Sequence, residues 1–156
     1  MQRDLIQREL VQFGLDVDDQ DEFFNQVVAQ LVELGYAKPS FLEALKAREA
    51  EYPTALPTQP EAIAIPHADP EHVIRPFIAA VRLKNPIEWN EMGNNESVLS
   101  VRFVFTLGFT RTDGHVKLLQ VLLNNIQDSS FMEALAGATS ADEYYACVHG
   151  MRGLED

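Results

Sequence analysis

His67 stands directly behind Pro66, which closes the apolar run Ala62-Ile63-Ala64-Ile65. Proline has no N–H to give a sheet ladder and biases the residue before it toward extended backbone. A strand therefore ends here for a covalent reason, and an imidazole emerges at its edge. Neutral imidazole is a nucleophile, and a reference pKa near ~6.5 keeps that form abundant at neutral pH. The bland alternative is a solvated turn histidine. His115 lies in Thr112-Asp113-Gly114-His115, a loop feeding a strongly apolar helical pattern, with Thr112 or Asp113 as the expected cap. The unpaired N–H groups and dipole of a first helical turn favour an anion such as a phosphoryl group. Taken alone, such a residue is most often just solvated. Arg48 falls late in an earlier helical pattern, just before the loop that leads to His67. A guanidinium stays charged and grips phosphate in a planar fork. Its alternative is an ordinary helix-surface residue with Ala44 and Tyr52 as neighbours. Thr54 offers a hydroxyl donor to the same site, or is simply a turn former beside Pro53.

Other chemistries fit less well. His67, Asp69 and His72 have no established zinc spacing, so no metal is expected. The chain has no nucleophile-elbow signature, no phosphate-cradling glycine-rich loop and no dinucleotide fingerprint, so no cofactor is expected. The formal net charge of -12 argues against nucleic acid and disfavours anionic membrane surfaces. A partner would more suitably present a basic or apolar patch. The single cysteine, Cys147, rules out an intrachain disulfide and fits a reducing compartment. It sits in Tyr144-Tyr145-Ala146-Cys147-Val148, which reads as core packing. The opening MQRDLIQREL is amphipathic without a signal-peptide apolar region, and no apolar run approaches a membrane span. A cytoplasmic protein with no direct membrane insertion is expected.

The elements that must position these residues follow from periodicity. Phe23, Phe24, Val27, Val28, Leu31 and Leu34 have helical spacing behind the acidic Asp18–Asp21, with Gly35 as a stop. Ser40 and Glu43 suggest a capping box opening a second helix that ends before Pro53. Thr54–Pro60 reads as loop, Ala62–Ile65 as a short strand, and Phe77–Leu83 as a strand bracketed by Pro76 and Pro86. Asn85–Asn95 reads as irregular, and Val98–Leu107 is the clearest strand. Gly108–Gly114 reads as loop. The apolar helix of Val116–Ile126 comes next, then a short helix after Asp128 and a last one after Ser140. Residues 150–156 are expected to fray. Helices precede, interrupt and follow a few strands, which predicts an α/β fold: a mixed β-sheet flanked by helices, in a single domain over residues 1–156.

In this order and spacing the motifs resemble the IIA component of the bacterial phosphoenolpyruvate-dependent sugar phosphotransferase system, mannitol/fructose type. The resemblance covers roughly residues 5–148 and rests on AIAIPH at Ala62–His67, FIAAVRL at Phe77–Leu83 and KNPIEW at Lys84–Trp89. It also rests on GYAKPSFLEALKARE at Gly35–Glu49 and GHVKLLQVLLNNIQD at Gly114–Asp128, while Glu91-Met92-Gly93 is similar to the galactitol branch. The resemblance implies that His67 is phosphorylated, that His115 is the second active-site histidine and that Arg48 neutralises charge. Only Thr54 matches the family's Ser-Thr pair, since Pro53 precedes it, and Glu61-Ala62 replaces the glycine usual before the strand. The implied function is a phosphohistidine carrier between HPr and a cysteine on the IIB component of a sugar permease, with Nε2 the nitrogen used. Asp69 and Glu71 would lower the local potential, or are plain solvated acids. A regulatory domain of the same fold, or an interaction domain without chemistry, is the competing function.

Overall fold

The computed structural model describes residues 2–154, with Gln2 and residues 112–115 as backbone only. Its elements run β1 (Gln12–Leu15), α1 (Gln20–Glu33), α2 (Phe41–Glu51), β2 (Ala55–Leu56), β3 (Ala62–Ala64), β4 (Phe77–Glu91), β5 (Asn94–Gly108), α3 (Thr112–Ile126), α4 (Ser129–Gly137) and α5 (Ala141–His149). Strand β4 pairs in parallel with β1 and antiparallel with β5. Strand β5 pairs in parallel with β3, which pairs antiparallel with β2. Ala55 of β2 returns to Glu91 at the far end of β4. The sheet is mixed, as expected for an α/β fold.

Alternation along β4 explains why both faces are covered. Phe77, Ala79, Val81 and Leu83 pack with Phe23, Phe24, Leu31, Phe41 and Leu45 of α1 and α2. Ile78 and Ala80 point the other way, toward Leu118, Leu122, Met132, Leu135, Tyr144 and Val148 of α3 to α5. A strand buried on both faces reads as a continuous apolar run, which is why FIAAVRL has no polar alternation. On the first face Phe23 and Phe24 set their rings edge-on to Trp89, with centroids 5.9 and 5.4 Å away.

Several sequence expectations need correction. Asn85–Asn95 is not irregular: β4 continues through Lys84-Asn85-Pro86 to Glu91, and β5 begins at Asn94. The pairing register shifts between Arg82 and Ile87, which accommodates the missing N–H of Pro86. Gly93, at φ 78°, turns the hairpin. The loop at Thr54–Pro60 contains the two-residue β2, and the amphipathic start leads into β1. Ser40 does not cap α2; its Oγ lies 2.8 Å from His72 Nδ1. Helix α3 begins at Thr112, so the cap position falls on Arg111 rather than on Thr112 or Asp113. Asp19, Asp128 and Ser140 do cap α1, α4 and α5. Residues 151–154 are anchored rather than frayed. Met151 and Leu154 are buried, Asn125 bonds Arg152 N and O at 3.0 and 2.8 Å, and Arg3 donates to the carbonyls of His149, Met151 and Leu154.

Candidate functional site

The site gathers where β3 and β5 end and β4 begins. Past Pro66, the backbone of His67 makes a single parallel bridge to Leu107 of β5, and Leu107 N–H donates to the Pro66 carbonyl at 3.0 Å. One residue on, Gly108 pairs with Phe77 at the start of β4. The proline thus ends the ladder within a residue, as its chemistry requires. His67 is only 8% exposed, so it is a wall of the site rather than a surface side chain. Its ring meets Phe109 edge-on, centroid to centroid 6.1 Å.

His67 Nδ1 lies 2.9 Å from the carbonyl oxygen of Ile65. A carbonyl only accepts, so Nδ1 carries the hydrogen and the in-plane lone pair of the neutral ring sits on Nε2. The same carbonyl favours positive charge on the ring should Nε2 form a bond.

Arg48 lies in the last turn of α2, with its side chain 37% exposed. Its Nη1 is 3.8 Å from Asp69 Oδ1, two residues beyond His67, and its guanidinium lies over the ring of Tyr52 at 5.7 Å. Tyr52, a helix neighbour, thus lies under a guanidinium that also faces the His67 loop through Asp69. Arg48 Nε is buried with no hydrogen-bond partner among the described residues.

Thr54 is buried, and the hydroxyl expected as a donor to the site is committed elsewhere. Its Oγ1–H donates to Glu49 Oε1 at 2.6 Å and its N–H to Glu49 Oε2 at 2.7 Å. Its carbonyl accepts from Ile65 N–H at 3.4 Å. Glu49 is itself 5% exposed, and burial pushes its carboxyl up to about 7, against the lowering effect of the Thr54 hydrogen bonds, of the Trp89 indole N–H and of the Arg48 charge. Sequence reasoning passed over Glu49 as a site residue. The available signal is its spacing: Phe41, Leu45 and Glu49 recur every four residues, and all three are buried.

The backbone of His115 lies in the first turn of α3, as expected. Its side chain lies outside the described residues, as do those of Thr112 and Asp113. His72 turns toward Ser40 and, at 3.6 Å, Glu71, away from a grouping with His67 and Asp69. Among the described residues no three His, Cys, Asp or Glu side chains converge on a metal-sized space. Cys147 is partly buried and packs beside the core of α5, with burial pushing its thiol up. No helix of the described residues is long and apolar enough to cross a membrane.

A mixed sheet lies between two helical layers, and at one sheet end stand a histidine that donates through Nδ1 and, beside the same loop, an arginine. The chain belongs to the family "Phosphoenolpyruvate-dependent sugar phosphotransferase system, EIIA 2", whose pattern matches residues 4–150. It is 28% identical over 137 residues to the galactitol-specific EIIA component of Escherichia coli K12, covering 86% of this chain and 91% of that one. It is 32% identical over 123 residues to the mannitol-specific EIICBA component of the same organism, covering 79% of this chain and 18% of that longer protein. Among solved structures, E. coli enzyme IIA mannitol in complex with phosphorylated enzyme IIB mannitol superposes with TM-score 0.72 at 26% identity, over 91% of this chain and 95% of that one. The E. coli cryptic mannitol enzyme IIA superposes with TM-score 0.77 at 18% identity, over 96% and 99%, which speaks to the fold alone. The chain is therefore an EIIA component of the mannitol/galactitol type, a phosphotransferase component of the sugar phosphotransferase system.

Proposed function

We propose that this chain is a phosphohistidine carrier that accepts a phosphoryl group from HPr on Nε2 of His67 and passes it to the IIB component of a sugar permease. The observation that carries this reading is the Nδ1–H bond from His67 to the Ile65 carbonyl, which leaves the lone pair on Nε2. The Nε2 lone pair attacks phosphorus in line. The phosphorus–nitrogen bond of the incoming phosphohistidine breaks, and its electron pair returns to the donor ring. No proton has to leave His67, because Nδ1–H stays on the Ile65 carbonyl and the ring takes up positive charge. Such a transfer has a loose transition state with charge spread over the phosphoryl oxygens, so positioning and charge neutralisation do most of the catalysis.

Arg48 supplies a fixed positive charge beside the His67 loop. His115, from the first turn of α3, supplies a second stabilising group. Exposed Tyr52, Ile74 and Val116, beside Arg48, the His72 turn and His115 in the chain, give docking proteins a partly apolar surface. The onward step transfers the group to a cysteine thiolate of IIB. The galactitol-specific relative makes galactitol or a related sugar the transported substrate we favour. The carrier works in the cytoplasm without a cofactor.

The test is His67→Ala incubated with phosphoenolpyruvate, enzyme I and HPr. The wild type takes up one phosphoryl group and the variant none; a variant that still takes up label contradicts the reading.

A further inference from the structure

Among the described residues Glu49 is the buried carboxyl-bearing side chain, and no other acid is. Burying a carboxylate costs several kcal/mol unless hydrogen bonds answer it. Here Thr54 gives two answering bonds, at 2.7 Å from its N–H and 2.6 Å from its hydroxyl, and the buried Trp89 indole N–H also favours the charged carboxylate. A carboxylate that needed only solvation could have been placed in water one turn away on α2. Its burial instead ties the C-terminal end of α2 to the chain segment that enters β2.

The bonds continue in one direction. Thr54 gives its carbonyl to Ile65 N–H at 3.4 Å, and Ile65 gives its own carbonyl to His67 Nδ1 at 2.9 Å. Between Ile65 and His67 stands Pro66, which has no N–H and so adds no ladder bond on its N side. The peptide that orients the imidazole is therefore held from one side by Leu107, through Pro66, and from the other by Thr54. Thr54 in turn is held by Glu49.

We propose that Glu49 is a positioning residue for the phosphoryl acceptor: by pinning Thr54 it sets the Ile65 peptide against His67, and with it the ring's tautomer and orientation. The proposal rests on the reading of His67 as the acceptor. It differs from a role in stability alone because it requires a change at an imidazole that Glu49 does not touch.

The test uses the full chain labelled with ¹⁵N-histidine, the His67 tautomer read by long-range ¹H–¹⁵N correlation, and single-turnover transfer from phosphorylated HPr. In Glu49→Gln, the amide oxygen still accepts from Thr54 N–H while the amide nitrogen donates to Thr54 Oγ1. That variant keeps the wild-type tautomer and a rate within about threefold, because the geometry is retained. Glu49→Ala frees Thr54, lets the other tautomer appear and slows transfer by ~10²-fold, the usual cost of a misplaced reacting group. Glu49→Met fills the same space without an acceptor and gives the same result where the alanine variant does not fold. A folded alanine or methionine variant with the wild-type tautomer and rate overturns the proposal. So does a glutamine variant that falls as far as the alanine one. If the wild type takes up no phosphoryl group, the carrier function fails, and the tautomer comparison by itself decides whether Glu49 positions the ring.

Discussion

The imidazole of His67 and the carbonyl of Ile65, two residues earlier in the same chain, share a hydrogen bond of 2.9 Å across a proline. The Ile65 peptide that supplies this carbonyl takes its place from its neighbours, since Ile65 N–H donates to Thr54 and Leu107 N–H donates to Pro66. The bond to His67 assigns the hydrogen to Nδ1 and the nucleophilic lone pair to Nε2. The phosphorylated chain should accordingly show phosphorus coupled to Nε2 in ¹⁵N–³¹P spectra. Coupling to Nδ1 would mean that the Ile65 bond breaks before transfer.

Arg48 tests charge neutralisation. Removing one preorganised donor from a site of developing negative charge commonly costs ~10²–10³-fold in rate. Arg48→Ala should lose on that order in single-turnover transfer while melting close to the wild type, since its partner Asp69 is exposed and surface pairs contribute little. Arg48→Lys keeps the charge but loses the fork and should fall between the two. A lysine variant indistinguishable from wild type would show that a point charge is enough.

Gly108 tests the packing under the site. A Cβ there would sit 2.0 Å from the Phe77 ring, which is fully buried and cannot swing into solvent. Gly108→Ala should destabilise the fold by about 1–3 kcal/mol, the usual cost of overpacking a core. The measurement is a denaturant melt. An unchanged midpoint would mean that β4 and β5 are free to part at the strand end that carries His67.

Glu49 makes stability depend on pH with an unusual sign. Its folded-state value is raised from the ordinary 4.5 to about 7, so between these values the folded chain holds a proton that the unfolded chain releases. Its contribution is complete below the unfolded value and is lost as pH rises through the folded one. The displacement corresponds to about 3 kcal/mol at ~1.4 kcal/mol per pH unit. Wild type should therefore lose ground to Glu49→Gln as pH climbs from 5 to 8, measured by urea melts. A stability difference that stays flat over that range would contradict a buried, proton-holding Glu49.

Much of this site could be read before any fold was known, because its signals are covalent. Pro66 dictates the strand end, and the apolar run before it dictates burial, so His67 at a sheet edge follows from six residues. Arg48 on a helix and His115 in a first helical turn follow from apolar spacing, although the caps expected for those two helices are not the ones found. What escaped depends on contacts between elements, which no pattern within a single helix or strand announces. Strand β2 has two residues and exists because Ala55 and Leu56 find Ala64 and Ile63. Lys84-Asn85-Pro86 carries the composition of a loop, yet the flanking pairs Arg82 with Phe103 and Ile87 with Val101 keep it within β4 across a register shift. Glu49 has the composition of an exposed acid, and only the fold shows Thr54 waiting for it. Ser40 looks like a helix cap until His72 is found beside it.

The most direct test of the central claim is the location of the phosphate. The chain is incubated with phosphoenolpyruvate, enzyme I and HPr, digested at mildly alkaline pH and mapped by mass spectrometry. The expected result is one acid-labile phosphoryl group on the peptide that carries His67 and none on the peptide that carries His115. Phosphate on any other residue, or phosphate that survives acid, would contradict it.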